Sequence, residues 1–208
     1  MSKIQIRKGD YSPISAHFNA SELFCKSADA PAVHPFYSEL VDALEFLRSH
    51  YGTPWRATST FRTESEERAI LAKLETPFFV DVHMRGEAVD SQPVTGGPAI
   101  MADLAHQFLT GGPVFQELRR LDINGFGLYD TFIHLDVRKE KVPHRDAFGL
   151  LAHWDSRRDN SGSPWGPAFP SQKKSAGDFP SPKLTPTFNP FRANHYLTPV
   201  AVTPSHSL

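Results

Sequence analysis

Two stretches of the chain carry residues whose types and spacing suit metal chemistry. One is His83-Met-Arg-Gly86-Glu-Ala88-Val-Asp90; the other is Gly125-Phe-Gly127-Leu-Tyr129-Asp-Thr-Phe-Ile-His134-Leu-Asp136-Val-Arg138. On one straight strand His83 and Asp90 would lie more than about 20 Å apart. A turn at Gly86 can bring the chain back, so that the pair holds one cation between them. In the second stretch His134, Asp136 and Arg138 alternate with Ile133, Leu135 and Val137. That period of two places the three polar side chains on one face of a strand and the apolar ones on the other. Read singly, each histidine is an ordinary hydrogen-bonded one. Jointly, two imidazoles and a carboxylate with a fourth position left to water form the ligand set of a catalytic zinc, not a structural one.

These residues need elements to position them. Asn19-Ala-Ser-Glu22 reads as a capping box that opens a short helix over 20–25. Pro35 predicts a helix start, with Phe36, Leu40, Leu44 and Leu47 at helical spacing up to a stop at Gly52. Trp55–Thr60 reads as a strand, and Thr63 caps a helix running to about Leu74. Phe78–Val82 is a β-rich run. Ile100–Leu109 reads as a helix closed by Gly111-Gly112, followed by a short helix over Val114–Leu121. Phe126–Tyr129 and Phe132–Val137 read as strands joined through Asp130-Thr131. The irregular mixture predicts an α+β fold, a small and mainly antiparallel sheet with helices packed on one side.

Composition narrows the classes. The 208 residues allow one domain with a true core and an extension. Lys and Arg number 22 against 23 Asp and Glu, so the chain lacks the basic surplus of a duplex binder, and nucleic acid is an unlikely partner. No apolar run is long enough for a membrane span. The charged N-terminus has no apolar stretch, so no secretory signal is expected. The single cysteine, Cys25, excludes an intrachain disulfide and reads as a structural thiol. Residues 156–208 hold nine prolines and a local charge of +4, with little apolar surface to offset the entropy of ordering. They read as an extended tail, either a linker or an arm that orders on a protein partner through Phe179, Phe188, Phe191 and Tyr196. The expected organisation is an N-terminal segment (1–13), a globular domain (14–155) and this tail.

The two motifs together, H-x-x-G-x-A-x-D and G-x-G-x-Y…F-I-H-x-D-x-R, resemble those of the zinc D-alanyl-D-alanine carboxypeptidase-like peptidases. These group with lysostaphin-type enzymes and the hedgehog N-terminal domain; the form here is most like the short phage and bacterial wall-processing versions. His17-Phe-Asn-Ala-Ser-Glu-Leu, His34-Pro, Thr58-Ser-Thr-Phe-Arg62-Thr and His153-Trp154-Asp155 extend the resemblance over about residues 15–155. It implies that His83, Asp90 and His134 ligate Zn²⁺, which would acidify a water and polarise a peptide carbonyl. It also implies that Arg62 holds a substrate carboxylate or a developing oxyanion; a surface salt bridge to Glu64 or Glu66 is the rival reading. The positions where relatives carry a general base are Thr131 and Phe132 here. Asp136 is therefore the candidate base, with Asp130 behind it; alternatively Asp136 orients His134 or pairs with Arg138. Tyr129 either serves the site or packs on the sheet. Three departures stand out: Asp81 where the family has Ser, Thr60 where it has Gly, and an apolar loop over residues 74–81.

The function this implies is hydrolysis of stem-peptide or cross-link bonds in bacterial peptidoglycan, by a carboxypeptidase or an endolysin-type endopeptidase. The expected setting is the host cytoplasm and then the periplasm or wall, or a virion. The alternative is an inactive peptidase-like fold that serves as a structural or wall-binding module, anchored by its tail.

Overall fold

The apolar stripe through Leu40, Leu44 and Leu47 is realised as helix α2, Ser38–Tyr51, and all three leucines are fully buried. The helix begins later than Pro35 predicts. Val33–Tyr37 is instead strand β2, paired antiparallel with β1, Lys3–Arg7. Long-range pairing overrides the local helix-start signal here: Phe36 and Ile6, both buried, need the ladder to reach the core. The boundary drawn at residue 14 thus falls after a strand that is hydrogen-bonded to residues 33–37. The computed structural model describes residues 2–139 and 152–157. The tail expectation, with its four aromatic anchors, falls outside the described residues from 158 onward.

The remaining elements are α1 (Ala20–Leu23), β3 (Trp55–Ser59), α3 (Glu64–Lys73), β4 (Ala88–Pro93), α4 (Gly97–Thr110), α5 (Pro113–Arg120), β5 (Gly125–Leu128), β6 (Ile133–Asp136) and β7 (Ala152–Asp155). The capping box is formed: Asn19 accepts from the Glu22 amide while Glu22 accepts from the Asn19 amide. Thr63 likewise accepts from the Glu66 amide to open α3. Strands β3–β7 make one sheet in the order β3-β4-β6-β5-β7, antiparallel except for the β5–β7 pair. The fold is α+β, as the sequence predicts. Val89, Phe126 and Leu135 point from the sheet into a core shared with Leu44, Leu104, Phe108 and Leu118 of the helices. The other sheet face is left for the polar residues.

The β-rich run Phe78–Val82 is not a strand. Among the described residues it has no partner strand, and Phe78, Phe79 and Val80 are exposed as the chain runs into a 3-10 turn at His83–Arg85. No helix among the described residues is long and apolar enough to cross a membrane.

Candidate metal centre

Sheet register assembles the site. Ser59, Asp90, His134, Gly127 and Trp154 are successive cross-strand partners, so they form one row across all five strands. Ala88, Asp136, Gly125 and Ala152 form the next row. The two-residue alternation of β4 and β6 puts Asp90, His134 and Asp136 on the face away from the helices. His83 arrives from outside the sheet, on the 3-10 turn. Its amide donates to Asp81 Oδ1 (2.9 Å), and its carbonyl accepts from the amides of Gly86 (3.0 Å) and Arg62 (3.3 Å). Gly86 closes the turn at φ 71°, and a Cβ there would collide with the Pro35 carbonyl. Only glycine serves both requirements.

The structure brings together the three expected ligands, all of them buried. His83 Nε2 lies 3.1 Å from His134 Nδ1 and 3.3 Å from Asp90 Oδ1; His134 Nδ1 lies 2.9 Å from Asp90 Oδ1. A tetrahedral zinc with bonds of about 2.0–2.1 Å needs ligand atoms about 3.3 Å apart, so this triangle is already close to the size required. The second nitrogen of each imidazole is committed elsewhere. His83 Nδ1 donates to the Thr60 carbonyl (2.6 Å), which leaves Nε2 as its free lone pair. His134 Nε2 donates to Asp136 Oδ2 (3.0 Å), which leaves Nδ1 for a metal. The tautomers follow from these hydrogen bonds.

Electrostatics agree with a cation-binding cluster. Burial alone would lower the His134 pKa, but Asp136 and Asp90 outweigh it and push it up to about 9. Burial would raise the Asp90 carboxyl, yet His83 and His134 hold it well below the usual carboxylate range. Burial likewise opposes ionisation of Asp136, and Arg138 with His134 overcomes it. In the absence of metal the charge on His134, with Arg62 and Arg138, offsets the two carboxylates, and a metal ion would take the place of the Nδ1 proton.

Arg62 does not pair with Glu64 or Glu66. Its Nη2 donates to Asp90 Oδ2 (2.6 Å), its Nη1 to Glu67 Oε2 (3.3 Å) and its Nε to Ser59 Oγ (3.0 Å). Glu64 is instead engaged by Arg68. Asp136 stands on the far edge of the His134 ring from Asp90. It is fully buried and accepts from Arg138 Nε (2.8 Å) as well as from His134. Asp130 is exposed on the turn between β5 and β6. The Tyr129 hydroxyl accepts from Trp154 Nε1 (3.0 Å), its ring stacks on Phe132, and burial followed by the nearby Asp90 raises it to about 12.

The sequence reading assigns no role at the site to two contributors. Glu67 is buried beside Leu71 on the inward side of α3; a carboxylate at apolar spacing was the available signal. Trp154 packs on His134 from β7, and nothing local in His153-Trp154-Asp155 announces which strand it pairs with.

A family model described as Peptidase M15 matches residues 16–136, more than half of the chain and all three residues of the cluster. No curated protein and no solved structure matches the chain.

Proposed function

Since this chain belongs to the peptidase M15 family, whose members are zinc-dependent peptidases, we propose that it hydrolyses peptide bonds of bacterial peptidoglycan with zinc held by His83, Asp90 and His134. The observation that carries this reading is the triangle of His83 Nε2, Asp90 Oδ1 and His134 Nδ1, already spaced for one tetrahedral ion. Zinc held there would supply Lewis acidity for acidifying a water and polarising the scissile carbonyl.

The chain's own residues hold and orient the groups around that ion. Thr60 and Asp136 fix the two imidazoles in the tautomers that present lone pairs to the metal. Asp136 lies behind His134 and is saturated by Arg138, so in this reading it orients the ligand and does not act as a base. Arg62 steadies Asp90 through Nη2. A guanidinium carries five N–H donors, and the bonds above use three, so two remain for a substrate carboxylate or a developing oxyanion. Such a substrate places the work at the bacterial wall, in a phage or a wall-processing setting.

The test is digestion of purified peptidoglycan by the zinc-loaded protein, with fragments identified by mass spectrometry. New termini at one stem-peptide or cross-link bond are expected, and they should be absent with chelator and in His83→Ala. Intact peptidoglycan after treatment with protein carrying one zinc would overturn the peptidase reading and favour a binding module.

A further inference from the structure

Ring positions across the sheet raise a question of reach. His134 is on β6 and Trp154 on β7, with β5 between them, so their backbones are two strand spacings apart, about 9.5 Å. Their ring centroids are nevertheless only 4.8 Å apart. Gly127 makes this possible. It sits between them in the row, and a Cβ there would overlap the Trp154 indole. The next row uses the same device: a Cβ at Gly125 would overlap the Asp136 carboxylate, which leans over that position. The two glycines of G-x-G therefore form a trough in the polar face of the sheet. Asp136 fills one half and the indole fills the other.

The indole packs on His134, and the Arg138 guanidinium lies 5.9 Å from its ring centroid. Its own direction is fixed by the Nε1 hydrogen bond to the Tyr129 hydroxyl, and Tyr129 is fixed by its stack on Phe132. The hydrogen bonds of His134 to Asp136 and Asp90 lie at the edges of its ring and fix its tilt only weakly. The indole, inclined at 46° to the imidazole, adds a packing contact that limits this tilt.

We propose that Trp154, seated in the trough left by Gly127, is a positioning residue for the metal site: it holds the His134 ring at the tilt that aims Nδ1 at the ion. This rests on the reading of His134 as a ligand. Removing a partner that orients a ligand characteristically weakens metal binding about 10–100-fold.

The test uses the full chain, zinc affinity from competition with a chromophoric chelator, and the visible spectrum of the cobalt(II)-substituted protein, which reports ligand geometry. Trp154→Leu and Gly127→Ala should weaken zinc binding about 10–100-fold and shift the cobalt bands. Trp154→Phe keeps a ring but loses the tether to Tyr129, so its affinity should lie between those of wild type and Trp154→Leu. A folded Trp154→Leu with wild-type affinity and cobalt spectrum would overturn the proposal. Should Trp154→Leu and Gly127→Ala not fold, Tyr129→Phe decides: it deletes only the indole's acceptor, and an unchanged cobalt spectrum overturns the proposal while a shifted one supports it. His83→Ala separates the two levels. If it keeps zinc, the ligand reading itself fails and takes this inference with it. If it loses zinc while the Trp154, Gly127 and Tyr129 variants keep normal affinity and spectra, only the role of Trp154 falls.

Discussion

Asp90 serves with both oxygens. Oδ1 faces the two imidazoles and Oδ2 accepts from Arg62, so the residue links the ligand set to the guanidinium. Asp90→Asn should therefore weaken zinc binding by more than the 10–100-fold typical of an orienting partner, and it leaves Arg62 facing an amide; chelator competition measures this. Asp136→Ala separates its two possible roles. If Asp136 orients His134, zinc affinity falls; if it were the base, affinity would hold and turnover alone would collapse. pH enters through His134. Its pKa near 9 in the metal-free protein lies above the unfolded value of about 6.5. The stability it contributes is thus complete below about 6.5 and lost as pH rises through 9, so the metal-free protein should unfold more easily at pH 9 than at pH 6. Metal binding must displace that proton, so zinc affinity should rise about tenfold per pH unit between 7 and 9. Competition titrations across that range check the sign. The three clustered residues stand out in the sequence through their types and through the resemblance of the two motifs to the family, while their convergence depends on sheet register. The sequence favours Asp136 as a base and offers its contacts with His134 and Arg138 only as the alternative, since which side of the ring it occupies is set by the fold.

At the scale of elements, helices were easier to read than strand partners. The leucine stripe of α2, the capping box of α1 and the cap of α3 are local signals, and each is realised. The start of α2 was misread because Val33–Tyr37 is claimed by β1, some thirty residues earlier in the chain. The run Phe78–Val82 has strand-like composition but no neighbour to pair with among the described residues, and a strand without a ladder is not a strand. The turn after it is held by Gly86. Gly86→Ala would combine a left-handed backbone with a collision at Pro35, at a cost of about 1–3 kcal/mol. Urea unfolding of the metal-free variant should show that loss. Because the same turn carries His83, zinc affinity should fall with it.

For the molecule as a whole, the sheet is the organising device: one face is spent on core and the other on chemistry. Row membership, not sequence proximity, brings Ser59, Asp90, His134, Gly127 and Trp154 together, and this is why no motif could show the last contact. The metal would couple to the stability of this whole arrangement, because it binds only the folded state. Zinc at a thousandfold excess over its dissociation constant should stabilise the protein by about 4 kcal/mol, seen as a higher melting temperature, and His83→Ala should show no such rise. The most direct measurement is crystallographic: crystals grown with zinc, with diffraction recorded at the zinc absorption edge. The expected result is one anomalous peak about 2.0–2.1 Å from His83 Nε2, His134 Nδ1 and an Asp90 oxygen. A peak elsewhere, or none at saturating zinc, would contradict the account.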